Sequence, residues 1–328
     1  MVSRGVIRAD TKADPGPDRY AQPQQLVRLK DGRRMNLLCE GAGTPTVILE
    51  AGAGGSTIDW RRVQPAIAAT TRVCAYDRAG MGFSDAGPLP RTASAVVADL
   101  EALLQAAGLE PPYVMVGHSL GSYFVRLYTD RHPRKVVGMV LVDPSVEFQD
   151  RQFEKVSPGF AQLLREDRAI AQECLRLARA GKLTADLPVF KECTYGYARD
   201  PAFSDLLFEV QIKRRLSVPF RQTLLSETDQ MEEDSGELVA ARRSYGDMPL
   251  IVLTQAPEST DAYPGMTAAQ VDAMNALWMR MHDELARLST RGINQVVANS
   301  GHYIQRDRPE AVIAAVRRVL EDSRAPTH

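Results

Sequence analysis

The sequence predicts an α/β protein: one mostly parallel sheet wound with helices on both faces, and a helical cap inserted into it. Three observations carry this. Short, nearly continuous apolar runs (TVILEAG, RVCAYD, YVMVG, VVGMVLVD) alternate with amphipathic stretches in the first half of the chain. After Pro144 the alternation stops, and only helical patterns follow as far as Asp247. It resumes with MPLIVLT and ends on a last helix, PEAVIAAVRRVLEDS. The interruption, about 100 residues, is too long for a loop in a compact fold.

The expected organisation is a flexible tail over 1–23, a core built from 24–144 and 247–328, and a cap over 145–246. The tail is polar and rich in Pro, Gly and Asp. QQLVRLKDGRRMNLLCEG reads as two strands about an Asp31-Gly32 turn. TVILEAG is a strand buried on both faces, residues 58–69 have helical spacing, and RVCAYD is a further buried strand. TASAVVADLEALLQAAG is an amphipathic helix with Thr92 as N-cap and Gly108 at its C-terminal end. YVMVG is a strand, Ser119 to His132 a helix and VVGMVLVD a strand. The cap contains PGFAQLLREDRAIAQECLRLARAG and PAFSDLLFEVQIKRRL. NALWMRMHDELARLS and INQVVAN supply a helix and a strand after it.

Of the 328 residues 44% are hydrophobic and 25% charged, enough apolar material for a sizeable core. A formal net charge of −1 argues against general attraction to nucleic acid or anionic membrane. Cys39, Cys74, Cys174 and Cys193 show no C-x-x-C spacing and read as buried small hydrophobes, so nothing demands an oxidising compartment. The first twenty residues hold no apolar signal core, and no stretch approaches a membrane span. The expectation is a cytoplasmic protein with no nucleic-acid partner and no integral membrane association.

Residues 117–121, GHSLG, match G-x-S-x-G between an apolar strand and an amphipathic helix. That context describes a tight strand-to-helix turn whose serine hydroxyl is held away from the sheet. A serine hydroxyl needs a base. Of five histidines, His118 adjoins the serine and should point elsewhere, His132 is at a helix exit, His282 lies within a helix, and His328 is terminal. His302, in a loop after the last strand, shares the carboxyl edge of the sheet with Ser119. An oxyanion would be held by backbone N–H groups of Leu120, at the helix start, and Ala53, in the glycine-rich AGAGGST loop. That loop lacks the lysine of a phosphate-binding loop and the spacing of a dinucleotide fingerprint.

These residues together resemble the α/β-hydrolase fold superfamily from about residue 25 to 323, in its serine esterase and lipase-like branch. The matching segments are AGAG at 51–54, YDRAGMGFSD at 76–85, GHSLG at 117–121 and SGHYIQRDRPE at 300–310. The resemblance implies a structural role for the Asp77–Ser84 turn, where Ala79 replaces the usual glycine. It separates the chain from the branch with an aspartate nucleophile. It also implies the order nucleophile, acid, histidine, with two places for the acid. Asp143, after VVGMVLVD, is favoured; Glu258, with Asp261 just beyond, follows the strand after the cap, where Gln255 stands in place of the expected glycine.

The expected activity is hydrolysis of a small ester-like substrate by Ser119, His302 and Asp143 through an acyl-enzyme, with no cofactor and no metal. Lactonase, thioesterase and N-terminal-trimming peptidase are alternatives, as is a ligand-binding receptor on the same fold. The peptidase would need a cap carboxylate for the substrate amine, and Glu209 or Glu232 are candidates. Phe160, Leu163, Leu164, Phe203, Leu206, Leu207 and Phe208 read first as cap core and second as an acyl pocket. Lys213, Arg214 and Arg215 read as a solvated helix end.

Overall fold

A computed structural model describes residues 16–194, 200–263 and 265–324. Within them one sheet is formed by β1 (Gln25–Arg28), β2 (Arg34–Glu40), β3 (Thr46–Glu50), β4 (Val73–Tyr76), β5 (Tyr113–His118), β6 (Val136–Val142), β7 (Leu250–Gln255) and β8 (Gly292–Val297). Their order is β1-β2-β4-β3-β5-β6-β7-β8. The β1–β2 hairpin is antiparallel, β2 runs antiparallel to β4, and the remaining pairs are parallel. Parallel strands need crossovers, and these include the helices α1 (Gln64–Ala68), α2 (Ala93–Ala106), α3 (Gly121–Arg131) and α10 (Ala268–Ala286), while α11 (Ile304–Asp307) and α12 (Pro309–Arg324) follow the last strand. Between β6 and β7 the described residues hold helices alone: α4 (Gln149–Val156), α5 (Phe160–Arg179), α6 (Phe190–Cys193), α7 (Asp205–Arg215), α8 (Val218–Asp229) and α9 (Met231–Ala241).

The two-residue period of a strand explains why the central strands carry apolar residues on both faces. On β5, Tyr113 and Met115 face a core shared with α2, α3 and α10, while Val114 and Val116 face one shared with α1 and α12. Thr92 caps α2 as expected, its side chain accepting from the Ala95 N–H at 3.1 Å. The helical spacing over 58–69 resolves into a 3-10 turn at Thr57–Trp60 followed by the short α1.

Two expectations are corrected. Part of the stretch expected to be a flexible tail is ordered: Pro17–Ala21 forms a 3-10 turn whose Tyr20 is buried against Ile58, Phe203 and Leu207, and Arg19 pairs with Glu40. A single aromatic ring outweighs the polarity around it, because its burial is worth about 2 kcal/mol. Residues 1–15 lie outside the described residues. The cysteines are not isolated hydrophobes either. Cys39 on β2 is bonded to Cys74, its register partner on β4, and Cys174 on α5 is bonded to Cys193 on α6. The second bridge spans 19 residues. A loop of that size is worth about 3 kcal/mol in the chain-entropy account. Among the described residues no helix is long and apolar enough to cross a membrane.

Candidate active site

The site lies where β3, β5, β6 and β8 deliver their carboxyl ends. At the end of β5 the chain turns so sharply that Ser119 takes φ 50°, a left-handed conformation that costs an L-residue about 1–2 kcal/mol. Ser119 still belongs to the sheet through its N–H, which donates to Val142 O at 3.1 Å, and α3 begins two residues later, at Gly121. The helix therefore starts later than the sequence pattern predicts, because Ser119 itself is not helical. The flanking glycines are set by close approach: a Cβ at Gly121 would lie 2.6 Å from Ala51 O, and one at Gly117 would lie 2.9 Å from Ser122 Cα.

His302 sits in the loop between β8 and α11. Its Nε2 is 2.8 Å from Ser119 Oγ and its Nδ1 is 2.6 Å from Asp143 Oδ2. A carboxylate only accepts, so Nδ1 carries the proton and Nε2 presents its lone pair to the serine hydroxyl. Asp143 follows β6 and is fully buried. Its second oxygen, Oδ1, accepts from the backbone N–H of Gln255 and from Trp278 Nε1, each at 3.0 Å. Burial alone would push this carboxyl up. The hydrogen bond and charge of His302, with His282 and the Gln255 N–H, outweigh it and hold the group below the ordinary aspartate range. The arrangement is a hydroxyl, an imidazole and an ionised carboxylate in one line. Such a line can move a proton off the hydroxyl while stabilising the imidazolium that results.

The other two carboxylates face elsewhere. Glu258 is clasped by Asn275, which accepts from its N–H at 3.0 Å and donates to its carbonyl at 2.9 Å, and its carboxyl hydrogen-bonds Tyr263. Asp261 is exposed on a 3-10 turn at Thr260–Ala262. Gln255, where the resemblance expects glycine, contributes only its backbone N–H, and that goes to Asp143.

Leu120 forms the N-cap of α3, and Ala53 is exposed on the loop after β3. Among the described residues, neither backbone N–H donates to a protein acceptor. Gly52, just before Ala53, admits no side chain: a Cβ there would lie 3.0 Å from Ser119 Cβ and 2.7 Å from His118 Nδ1.

His118 does not point away from the site. Its ring lies 4.8 Å from that of His302 and 5.2 Å from that of Tyr303, and its Nε2 is 2.8 Å from the His302 carbonyl oxygen. Since a carbonyl only accepts, Nε2 carries the proton. Burial first, and the neighbouring His302 second, push this imidazole down to about 3. A depressed histidine is neutral in the fold, and the unfolded chain takes up the proton first. The stability that His118 contributes is thus present above its ordinary value of 6.5 and is lost as pH falls toward 3. The unfolding free-energy difference between wild type and His118→Gln should shrink by about 1.4 kcal/mol per pH unit within that window. Urea titrations of both proteins at several pH values measure it; a pH-independent difference would refute a neutral buried ring.

Sequence reasoning missed His118, Trp278 and Arg78. Arg78, 2% exposed, donates to the carbonyls of Ala51 and Gly52. The only available signal was that Arg78 sits in a turn motif and Trp278 in an apolar helix register. Of the other described histidines, His132 bonds Glu101, while His282 bonds Thr254 and the Pro144 carbonyl; His328 lies outside the described residues. In the helical segment between β6 and β7, Phe203 and Leu207 pack against Tyr20, and Leu206 is exposed. Arg214 turns inward to the Gly82 carbonyl rather than into solvent. Glu209 is exposed beside a groove on α7, and Glu232 pairs with Arg151.

A family model described as alpha/beta hydrolase fold matches residues 45–181. An AB hydrolase superfamily protein of Gibberella zeae is 40% identical over 131 residues, 39% of this chain and 39% of that protein. The match to an uncharacterized Bacillus subtilis protein, YqjL, likewise spans only 42% of that relative. Over the whole fold, a crystal structure of a DBJA mutant superposes with TM-score 0.69 at 16% identity, covering 92% of this chain and 99% of that one. A thermophilic esterase from Thermogutta terrifontis superposes with TM-score 0.61 at 19% identity, covering 93% and 100%.

Proposed function

We propose that this chain, which belongs to the α/β-hydrolase superfamily, is a serine hydrolase that cleaves carboxylic esters through an acyl-enzyme. The observation that carries the reading is the unbroken line Ser119 Oγ, His302 Nε2, His302 Nδ1, Asp143 Oδ2, with separations of 2.8 and 2.6 Å. In this reading Ser119 attacks the ester carbonyl carbon as His302 takes its proton. The Leu120 and Ala53 N–H groups receive the oxyanion. His302 returns the proton to the leaving alcohol, then draws one from water for deacylation. Asp143 stays ionised throughout and holds the imidazole in the tautomer that both steps need.

The peptidase alternative is less well supported. It needs a cap carboxylate free to meet an amine, yet Glu232 is paired with Arg151 and Glu209 is exposed on α7. Glu227 on α8 has both oxygens bonded to Arg78. For location, the two disulfides favour an oxidising compartment over the cytoplasm expected from the sequence.

The test is labelling with a fluorophosphonate, read by intact mass and peptide mapping, alongside p-nitrophenyl esters and aminoacyl nitroanilides as substrates. One adduct on Ser119 with turnover of the esters is expected. No adduct, or one on another residue, refutes the assignment.

A further inference from the structure

Arg78 is buried to 2% exposure yet makes five directed contacts. Its Nη1 donates to Ala51 O at 2.6 Å and Glu50 Oε1 at 2.7 Å. Its Nη2 donates to Gly52 O at 2.8 Å and Glu227 Oε2 at 2.9 Å, and its Nε to Glu227 Oε1 at 2.9 Å. Every N–H of the guanidinium is used. Two of the five acceptors are consecutive carbonyls of the loop after β3, and two belong to one carboxylate on cap helix α8.

The geometry of a trans peptide gives this a consequence. The C=O of Gly52 and the N–H of Ala53 lie in one plane and point in opposite directions. Holding Gly52 O on the Arg78 side, with a second bond from the Gly55 N–H at 3.0 Å, turns the Ala53 N–H to the other side. The same helix that supplies Glu227 lays Phe220 and Leu224 over the loop: a Cβ at Gly54 would lie 3.3 Å from the Phe220 ring and 3.7 Å from Leu224. Where α8 sits and where the Ala53 N–H points are thus linked by one side chain.

We propose that Arg78, clamped by Glu227, is the positioning residue of the oxyanion site and couples the seating of the cap to the aim of the Ala53 donor. The inference rests on the acyl-transfer reading above. Arg78 touches no reacting atom; it acts through the Gly52–Ala53 peptide. Lysine carries the charge but not the fork, so it cannot hold two carbonyls and a carboxylate together. Glutamine at 227 keeps the shape and removes the charge.

The experiment compares wild type, Arg78→Lys and Glu227→Gln on a p-nitrophenyl ester, with kcat expressed per Ser119 labelled by fluorophosphonate. An alkyl boronic acid, whose tetrahedral adduct places an oxygen in the oxyanion site, supplies a second readout. For Arg78→Lys we expect kcat per labelled site to fall by about 10²-fold with KM changed by less than about threefold, and boronate affinity to fall by a comparable factor. Glu227→Gln should show the same pattern at about 10-fold. A merely structural role would lower the labelled fraction and the melting temperature while kcat per labelled site and boronate affinity held; that result overturns the proposal. If Arg78→Lys does not fold, Glu227→Gln decides on the same criteria. Failure of the wild type to label at Ser119 would instead refute the acyl-transfer reading itself.

Discussion

Ser119→Ala will lower kcat for ester hydrolysis by about 10⁶-fold, the scale seen when a nucleophile of this kind is removed. The protein should keep its fold. Ser119 is anchored by its backbone, through N–H to Val142 O and through its carbonyl to Ser122 and Ser145, and none of these bonds uses the hydroxyl. What disappears is the only oxygen within 2.8 Å of the His302 Nε2 lone pair among the described residues. Binding of substrate survives in part, so KM should move far less than kcat. Steady-state kinetics on a chromogenic ester, with circular dichroism as the control for folding, measures this. A variant that retains hydrolysis within about 10-fold of wild type would show that the ester is cleaved elsewhere.

The second large effect distinguishes between carboxylates. Asp143→Asn should lower kcat by about 10⁴-fold, whereas Glu258→Gln should leave it within about threefold of wild type. An amide at 143 offers its NH₂ or its carbonyl to His302, and either choice disturbs a bonding set that is now complete. The carboxylate accepts three hydrogen bonds, from His302, the Gln255 N–H and Trp278. If the amide keeps its oxygen toward Gln255 and Trp278, its NH₂ faces His302 Nδ1. The imidazole must then adopt the opposite tautomer, with Nε2 protonated and useless as a base. Glu258 bonds Tyr263 and Asn275, so its loss reaches the imidazole only indirectly. Equal losses in the two variants would contradict the assignment of Asp143.

Several parts of this structure are readable from residue order because each depends on local chemistry. A strand covered on both faces is apolar over most of its length, and TVILE and YVMVGH show it, with polar Glu50 and His118 only at their carboxyl ends and Thr46 at the start of the first. A tight strand-to-helix turn leaves glycines around a serine, and the loop after the last strand places His302 beside it, although His118 shares that edge of the sheet. The acid was legible only as a choice, since Asp and Glu number 41 and reach depends on which strand ends lie side by side. It is the β6–β7 pairing that brings the Gln255 N–H to Asp143, and no pattern within either strand states that pairing. The Cys39–Cys74 bridge has the same origin, a register between strands 35 residues apart. Tyr20 escaped because its partners, Ile58 on one side and Phe203 and Leu207 on the other, come from two distant segments. Arg78 looked like part of a turn, while its acceptors lie on another strand and its loop and on α8.

The indole that touches Asp143 also makes the site visible to light. The chain has two tryptophans, and Trp60 is buried with Val63 and Ile67 in the core on the other face of the sheet. Trp278 stacks on Phe153 at 5.6 Å while its N–H bonds the carboxylate. With Trp60→Phe as background, intrinsic emission comes from one fluorophore wired to the far end of the proton path. A stopped-flow trace of that emission would follow acylation and its decay directly, without a coloured leaving group.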